Sequence, residues 1–493
     1  MEQYILGIDV GTTGTKTLLF SAVGDLLGHA YRSYETSAPQ VGYSEQDPED
    51  WWRAVCETVR EVCAAPDVAE GVAAISLSLQ GGTVVPVDEE LRAVRPAIVW
   101  NDLRCGAQRE AYLKEVGDAK GMYEMSGWQL DPQLPALQIR WMRDNEPELF
   151  AKTDMFLTVP DYISKKMTGI AAVDLSDAGI NQLCDIRRGC YDEKILHFAG
   201  ITEAQLPKIV RSGDVIGNLT AQAAAELGLT TRAVLVAGAH DQYAVALGAG
   251  ANKPGDILIG SGTAGVVTAI GDRPAFETGL DQSIAATPGM WGSLASLSSG
   301  GVCLEWWRKN LAVDGGEPVS YDAINEEVSR RKAAEDGLFF FPFSGRMNGE
   351  KDFQKGTFVG LDLAHDRYDL ARAVMEGVVF QTRWMLERFQ TKPSADGLKL
   401  SGGASKSPLW CSLAANITGL PIRIPAVADL ACVGAAILAG VGCGIYRDAE
   451  EGYRALAVDE QVLQPDPEAV RRYDEWYAAY KKIAGALGAA YDL

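Results

Sequence analysis

The amino-acid sequence predicts an α/β protein made of two copies of one architecture. A strand, a Gly-Thr turn and a second strand occupy residues 4–8, 11–15 and 16–21. A related pattern returns midway, with strands at 256–259 and 266–270 around a turn at 260–265. Elsewhere, strand-like and helix-like segments alternate with no low-complexity linker. At 493 residues the chain also exceeds what one core supports, about 250–300 residues. The repeat puts a boundary near 244–252, giving halves of 1–247 and 248–493 that pack around a cleft.

The elements follow in order. Residues 4–8 are branched and aromatic and end at Asp9; Gly24-Asp25 turns the second strand into a third at 26–31. This is a meander of hairpins rather than a strand feeding a helix. Asp47-Pro48-Glu49-Asp50 puts acids in the first turn of a helix over 51–63. The apolar run 234–236 leads through Gly238 to Asp241 and a helix at 242–247. A long helix is expected over 369–390, with Leu370, Ala373, Val374, Gly377 and Val378 on one face. A strand at 398–400, a turn at Gly402-Gly403 and a helix opened by Ser407-Pro408 and closed by Gly419 complete the pattern.

Composition narrows the function. The formal net charge of −21 is spread along the chain, which disfavours nucleic acid and anionic membrane as partners. An anionic ligand must then be met by backbone amides, a few cations or a metal. No basic, apolar leader opens the chain, and the Gly-rich run 433–446 is too short to span a bilayer. Nine cysteines without a Cys-x-x-Cys pair, and four histidines, point to thiols of a reduced cytoplasmic protein rather than to zinc.

Four loops carry chemistry. In Asp9-Val10-Gly11-Thr12-Thr13-Gly14-Thr15-Lys16, small residues at a hairpin tip let N–H groups and hydroxyls approach a phosphate, with Asp9 beside a hydrated Mg²⁺. A solvent-facing hairpin uses the same residues. Gly260 to Gly265 spells G-x-G-x-x-G, but the β-branched run after it is a strand, not the helix a dinucleotide fold requires. A second phosphate hairpin with Thr263 as donor, or a plain turn, remains. Asp241 at a strand's C-terminal end is placed either to accept the proton of an attacking hydroxyl or to cap the next helix. Gly402-Gly403 before a helix lets a flat ring or phosphate approach, or simply makes a turn.

The order of these loops resembles that of the FGGY carbohydrate kinases. Asp-x-Gly-Thr-Thr comes near the N-terminus, then Gly-x-x-Asp-Gln, Gly-Ser-Gly-Thr and Ser-Gly-Gly-Ala near residue 400. Gly356-Thr357-Phe358-Val359-Gly360-Leu361, Asp369-Leu370 and Ala373-Val374-Met375-Glu376 are similar to the family's C-terminal signature. Similarity to the xylulokinases of this family includes Ser44 to Pro48, Trp51-Trp52, Arg95 to Ile98, Trp100-Asn101-Asp102, Pro160-Asp161-Tyr162, Met167-Thr168-Gly169 and Asp174 to Ala178.

The resemblance implies two actin-like (ribonuclease-H-like) ATPase domains flanking a catalytic cleft, sugar-binding in the first half and nucleotide-binding in the second. It implies ATP and Mg²⁺, a small sugar or polyol as acceptor, and a homodimer. Asp241 is then the catalytic base and, with Asp9, a metal ligand. Gly11, Thr12, Thr13, Lys16, Gly262 and Thr263 line the phosphates; Gly301, Glu305, Gly402, Gly403 and Ala404 face the nucleotide; Leu79, Gln80, Asp241 and Gln242 face the sugar. Four positions depart from the xylulokinase pattern: Leu79-Gln80 for Met-His, Gln242 for Asn, Gln138 for the lysine before Trp141, and a shortened Ser344-Gly345-Arg346. The expected activity is phosphorylation of a small ketose or polyol. Glycerol, erythritol, an L-ketose or autoinducer-2 are alternative substrates. A non-catalytic sugar-binding regulator and an actin-like filament ATPase are the competing classes.

Overall fold

The computed structural model describes residues 2–490 except 132, 263, 298, 315–316, 344–354, 428 and 457–459. The three strands of the first hairpin meander form as expected: β1 (Tyr4–Val10), β2 (Gly14–Ser21) and β3 (Leu26–Ser33). Register pairs Asp9 with Lys16 and Val10 with Thr15, so β1 runs two residues further than its apolar pattern suggests. After α1 (Pro48–Val62), β4 (Val72–Leu79) pairs parallel to β1. Asp47 caps α1 through the Glu49 N–H at 3.0 Å, and Pro48 opens it, which starts the helix before Trp51. Two later strands, β5 (Val215–Asn218) and β6 (Val234–His240), complete a sheet of order β5-β6-β4-β1-β2-β3.

α2 (Asp241–Gly248) leads into the second sheet. Here β7 (Ile257–Ser261), β8 (Gly265–Gly271), β9 (Asp281–Ile284) and β10 (Trp291–Leu297) form the antiparallel part. After α3 (Val302–Leu311) and α4 (Arg367–Leu386), β11 (Leu398–Gly402) pairs parallel to β7. Then come α5 (Pro408–Thr418), β12 (Ile422–Pro425), α6 (Leu430–Gly442) and β13 (Glu460–Leu463). The order β9-β10-β8-β7-β11-β12-β13 repeats the first sheet, with one extra edge strand. In each, three antiparallel strands are followed by two parallel ones and an antiparallel edge. α4 starts earlier than expected because Asp366 caps it and Asp369 closes a capping box.

α6 lies in sequence between β12 and β13 of the second sheet yet crosses the first sheet and packs on α2. Glycines make that contact backbone to backbone. A Cβ at Gly7 would stand 1.9 Å from the Cys432 carbonyl oxygen, one at Gly434 1.9 Å from that of Ala244, and one at Gly248 2.0 Å from that of Leu430. Around it, Ile5, Phe20, Tyr243, Leu258, Leu294, Val433 and Ile437 share one buried cluster drawn from both sheets. Among the described residues, no helix is long and apolar enough to cross a membrane.

Gly7→Val forces side-chain atoms into the Cys432 carbonyl, where only backbone movement makes room. The expected cost is roughly 3 kcal/mol or more, at the upper end for overpacking. It reads as a lower urea midpoint and a lower Tm than in the wild type.

Candidate active site

The cleft between the sheets is built from the C-terminal ends of β1, β4 and β6 on one side and the β7–β8 hairpin on the other. The β1–β2 turn is tightened by the Gly11 N–H donating to Gly14 O at 3.1 Å, and the Tyr34 hydroxyl donates to Gly11 O. Gly14 has no room for a side chain, since a Cβ would meet Arg32 O and the Tyr31 ring at 2.5 and 2.6 Å. Trp100 Nε1 donates to Thr12 Oγ1 at 3.0 Å, so that hydroxyl is oriented from outside the loop. Thr13 stands exposed at the tip. Asp9, at the end of β1, accepts from the Ser78 hydroxyl at 2.9 Å.

Lys16 does not stand free beside this loop. Its Nζ donates to Asp429 Oδ1 at 2.7 Å, and His29 Nε2 lies 3.4 Å from the other Asp429 oxygen. Asp429 occupies the cap position of α6 without capping it. The one cation of the phosphate hairpin is thus tied to a carboxylate from the far end of the chain.

Asp241 is the first residue of α2, but the cap is its neighbour: His240 Nδ1 accepts from the Gln242 N–H at 3.4 Å. The Asp241 carboxylate lies 3.3 Å from the same Nδ1 and is 37 % exposed. It opens into a cavity of about 440 Å³ whose wall also holds Thr12, Gln80, Gln242, Trp100, Trp128 and Arg388. Gln80 Nε2 donates to Gln46 Oε1 at 3.1 Å, and Gln46 Nε2 donates to Thr12 O at 2.6 Å. The Gln80 amide is therefore coupled to the β1–β2 turn. Leu79 is not on this wall; it packs in the core with Ile75 and Leu77, because alternate residues of β4 face inward. Gln138 is buried and donates to Gln133 O at 2.7 Å, bracing the loop that carries Gly82.

A second cavity, of about 610 Å³, gathers Gly262, Gly301, Glu305, Gly403 and Ala404, together with Tyr321, Asn325 and Trp410. The Gly301 N–H donates to Gly262 O at 2.9 Å, docking the β7–β8 hairpin on the start of α3. Gly402 lies beneath the wall with φ of +88°, and a Cβ there would stand 2.3 Å from Ser261 O. The Arg308 guanidinium at 2.8 Å, helped by the Tyr321 hydroxyl and Lys309, pulls the Glu305 carboxyl down to about 2. Thr263 and Ser344-Gly345-Arg346 lie outside the described residues.

Comparison with known proteins follows this geometry. Residues 4–248 match the N-terminal domain of the FGGY family of carbohydrate kinases, and residues 257–443 match its C-terminal domain. The chain belongs to the FGGY family of carbohydrate kinases. It is 28% identical to the xylulose kinase of Bacillus subtilis over 98% of this chain and 96% of that one. It is 29% identical to the L-xylulose/3-keto-L-gulonate kinase of Escherichia coli, covering 99% and 98%. The crystal structure of xylulose kinase from Rhodospirillum rubrum superposes with a TM-score of 0.92 at 27% identity, covering both chains fully.

The chain is accordingly a phosphotransferase that uses ATP and a sugar. Sequence reading of the kinase missed Asp429, Trp128, Tyr321, Asn325, Trp410 and Arg388. Trp128, Tyr321, Asn325, Trp410 and Arg388 reach the cavities from scattered stretches of the chain, Tyr321 and Asn325 sharing one helix, and no local pattern marks any of them. Asp429 meets Lys16 across 413 residues.

Asp9 is the electrostatically loaded group of the cleft. Dense packing strips its carboxylate of solvent and pushes it up to about 6, with the Asp241 charge adding to the rise and Ser78 and Lys16 opposing it. A carboxyl raised above its unfolded value holds its proton more tightly when folded. The ionised form therefore costs stability above about pH 6, and the cost disappears as pH falls toward 4. Asp9→Asn should raise the Tm of the ligand-free kinase at pH 7.5, measured in chelator. The gain should shrink between pH 6 and 4; a gain independent of pH would contradict this origin.

Proposed function

We propose that the kinase transfers the γ-phosphate of ATP to a hydroxyl of a small ketose or polyol, with Asp241 as the base. The observation that carries this reading is the Asp241 carboxylate: His240 takes over the helix cap, and the acid opens into the 440 Å³ cavity beside Gln80 and Gln242. A carboxylate there accepts the proton of the attacking hydroxyl. The reading takes 1–247 as the sugar-binding and catalytic half and 248–493 as the nucleotide-binding half, with the larger cavity for ATP. Gly11, Thr12, Thr13, Gly262 and Thr263 then meet the phosphates chiefly through backbone N–H groups and hydroxyls. Lys16 contributes its charge only by leaving Asp429.

Asp9 and Asp241 suit Mg²⁺. They lie close enough to repel, and their oxygens are hard donors. Among the described residues no cluster of three or more His, Cys, Asp or Glu side chains forms, which fits an ion held mainly by phosphate and water. When bound, Mg²⁺ neutralises phosphate charge.

The wall favours an uncharged acceptor, since Gln80, Gln129, Gln133 and Gln242 offer amides. Arg388, also on the wall, is the observation that favours a sugar acid instead, although its guanidinium donates to Thr278 O at 3.0 Å. The enzyme is read as cytoplasmic, on the strength of its free cysteines, and as a homodimer, which the family resemblance implies.

ADP release with Mg-ATP across ketoses, aldoses, polyols and sugar acids should show stimulation by a neutral compound. Stimulation by acids alone would transfer the reading to Arg388. Asp241→Asn should lower sugar-dependent turnover about 10²- to 10⁴-fold, the range for a positioned base, while ATP binding by calorimetry persists. A fully active variant would remove Asp241 from that role.

A further inference from the structure

Asp177 is a buried carboxyl that the reaction described so far leaves unused. It lies in the short helix Leu175–Ala178, is 1% exposed, and neither of its oxygens has a hydrogen-bond partner. Burial, with Asp174, Asp161 and Asp241 nearby, pushes its carboxyl well above the usual range. An acid so placed costs stability. Its surroundings suggest what it does.

A methyl group on Gly81 would stand 2.6 Å from Asp177 Oδ1 and 2.9 Å from His240 Nε2. The carboxyl and the imidazole therefore face each other across a glycine with no side chain to separate them. Gly81 is not among the glycines with positive φ, so it is space rather than backbone conformation that asks for glycine here. The same short helix holds the histidine's backbone, since the His240 N–H donates to Ser176 Oγ at 2.9 Å. The ring is flanked by Trp128 and Tyr243, each with its centroid 5.8 Å away. Nδ1 faces the other way, toward the Gln242 N–H and the Asp241 carboxylate, which leaves Nε2 as the ring nitrogen beside Asp177.

We propose that Asp177 is a positioning residue for the catalytic base, acting through His240. Asp177 sets the angle of the imidazole by facing Nε2 across Gly81. The imidazole caps α2 through Nδ1, and that cap sets where the Asp241 carboxylate enters the cavity. Gly81 keeps the line Asp177–His240–Asp241 closed up. The proposal rests on Asp241 being the base.

The test is a double-mutant cycle on kcat per folded enzyme, with folding followed by near-ultraviolet circular dichroism. Asp177→Ala should lower kcat roughly 10-fold and leave the KM for ATP unchanged, and adding it to His240→Ala should cause no further loss. Asp177→Asn, which keeps an acceptor oxygen, should recover most of the activity. Gly81→Ala, which leaves both groups in place but drives them apart, should mimic Asp177→Ala and serves in its stead if that variant does not fold. The proposal is overturned if the Asp177 or Gly81 losses multiply with that of His240→Ala. It is equally overturned if both variants lower Tm but keep wild-type kcat. Asp241→Asn in the same series separates the two ideas: an active variant sinks the base assignment itself, whereas an inactive one with multiplying losses sinks only the role of Asp177.

Discussion

The structure depends on one contact, the meeting of main chain with main chain where α6 crosses β1 and α2. Gly7, Gly248 and Gly434 each lie against a carbonyl oxygen that leaves no space for a β-carbon. At these three points side chains cannot act as spacers, so backbone geometry sets the approach of α6, and the side-chain cluster drawn from both sheets packs around it. Flexible side chains would have absorbed changes in angle; packed backbones do not. The cleft inherits this rigidity at its floor. Asp9 lies on the β1 strand that α6 crosses, and Asp241 opens the α2 helix that α6 touches.

Charge is the second organising problem. A protein of formal net charge −21 binds a nucleotide that is itself strongly anionic. The solution visible in the cleft is to spend few free cations. Lys16 is paired with Asp429, and Arg308 and Lys309 are paired with Glu305. Glycine lines the β1–β2 and β7–β8 hairpins, where it lets backbone N–H groups approach an anion without the desolvation cost of a full charge.

The two cavities differ in lining. The larger is walled by glycine, alanine and the Tyr321 and Trp410 rings, with Glu305, Asp322 and Lys406 among them. The smaller carries amides and the Trp100 and Trp128 indoles beside the Asp131, Asp241 and Asp281 carboxylates. Gln46 joins two parts of the smaller cavity's wall, holding Gln80 by one end of its amide and the Thr12 carbonyl by the other.

Read alone, the sequence determined the architecture and its local turns. Hairpins, helix starts and stops depend on neighbours a few residues apart: Ser407 caps α5 and Gly419 ends it at φ of +70°, as their types imply. The repeated strand–turn–strand pattern was legible for the same reason, and it fixed which loops reach the cleft. Pairing register extended β1, and the capping box moved the start of α4 to Arg367, while α4 ends at Leu386 rather than at 390. Tertiary structure alone decided the rest. It put Leu79 in the core and Gln80 on the cavity wall, gave Lys16 to Asp429, and handed the cap of α2 to His240 so that the Asp241 carboxylate faces the cavity. Each of these depends on which surfaces meet when distant segments pack, and spacing along a chain carries no information about distance across a fold.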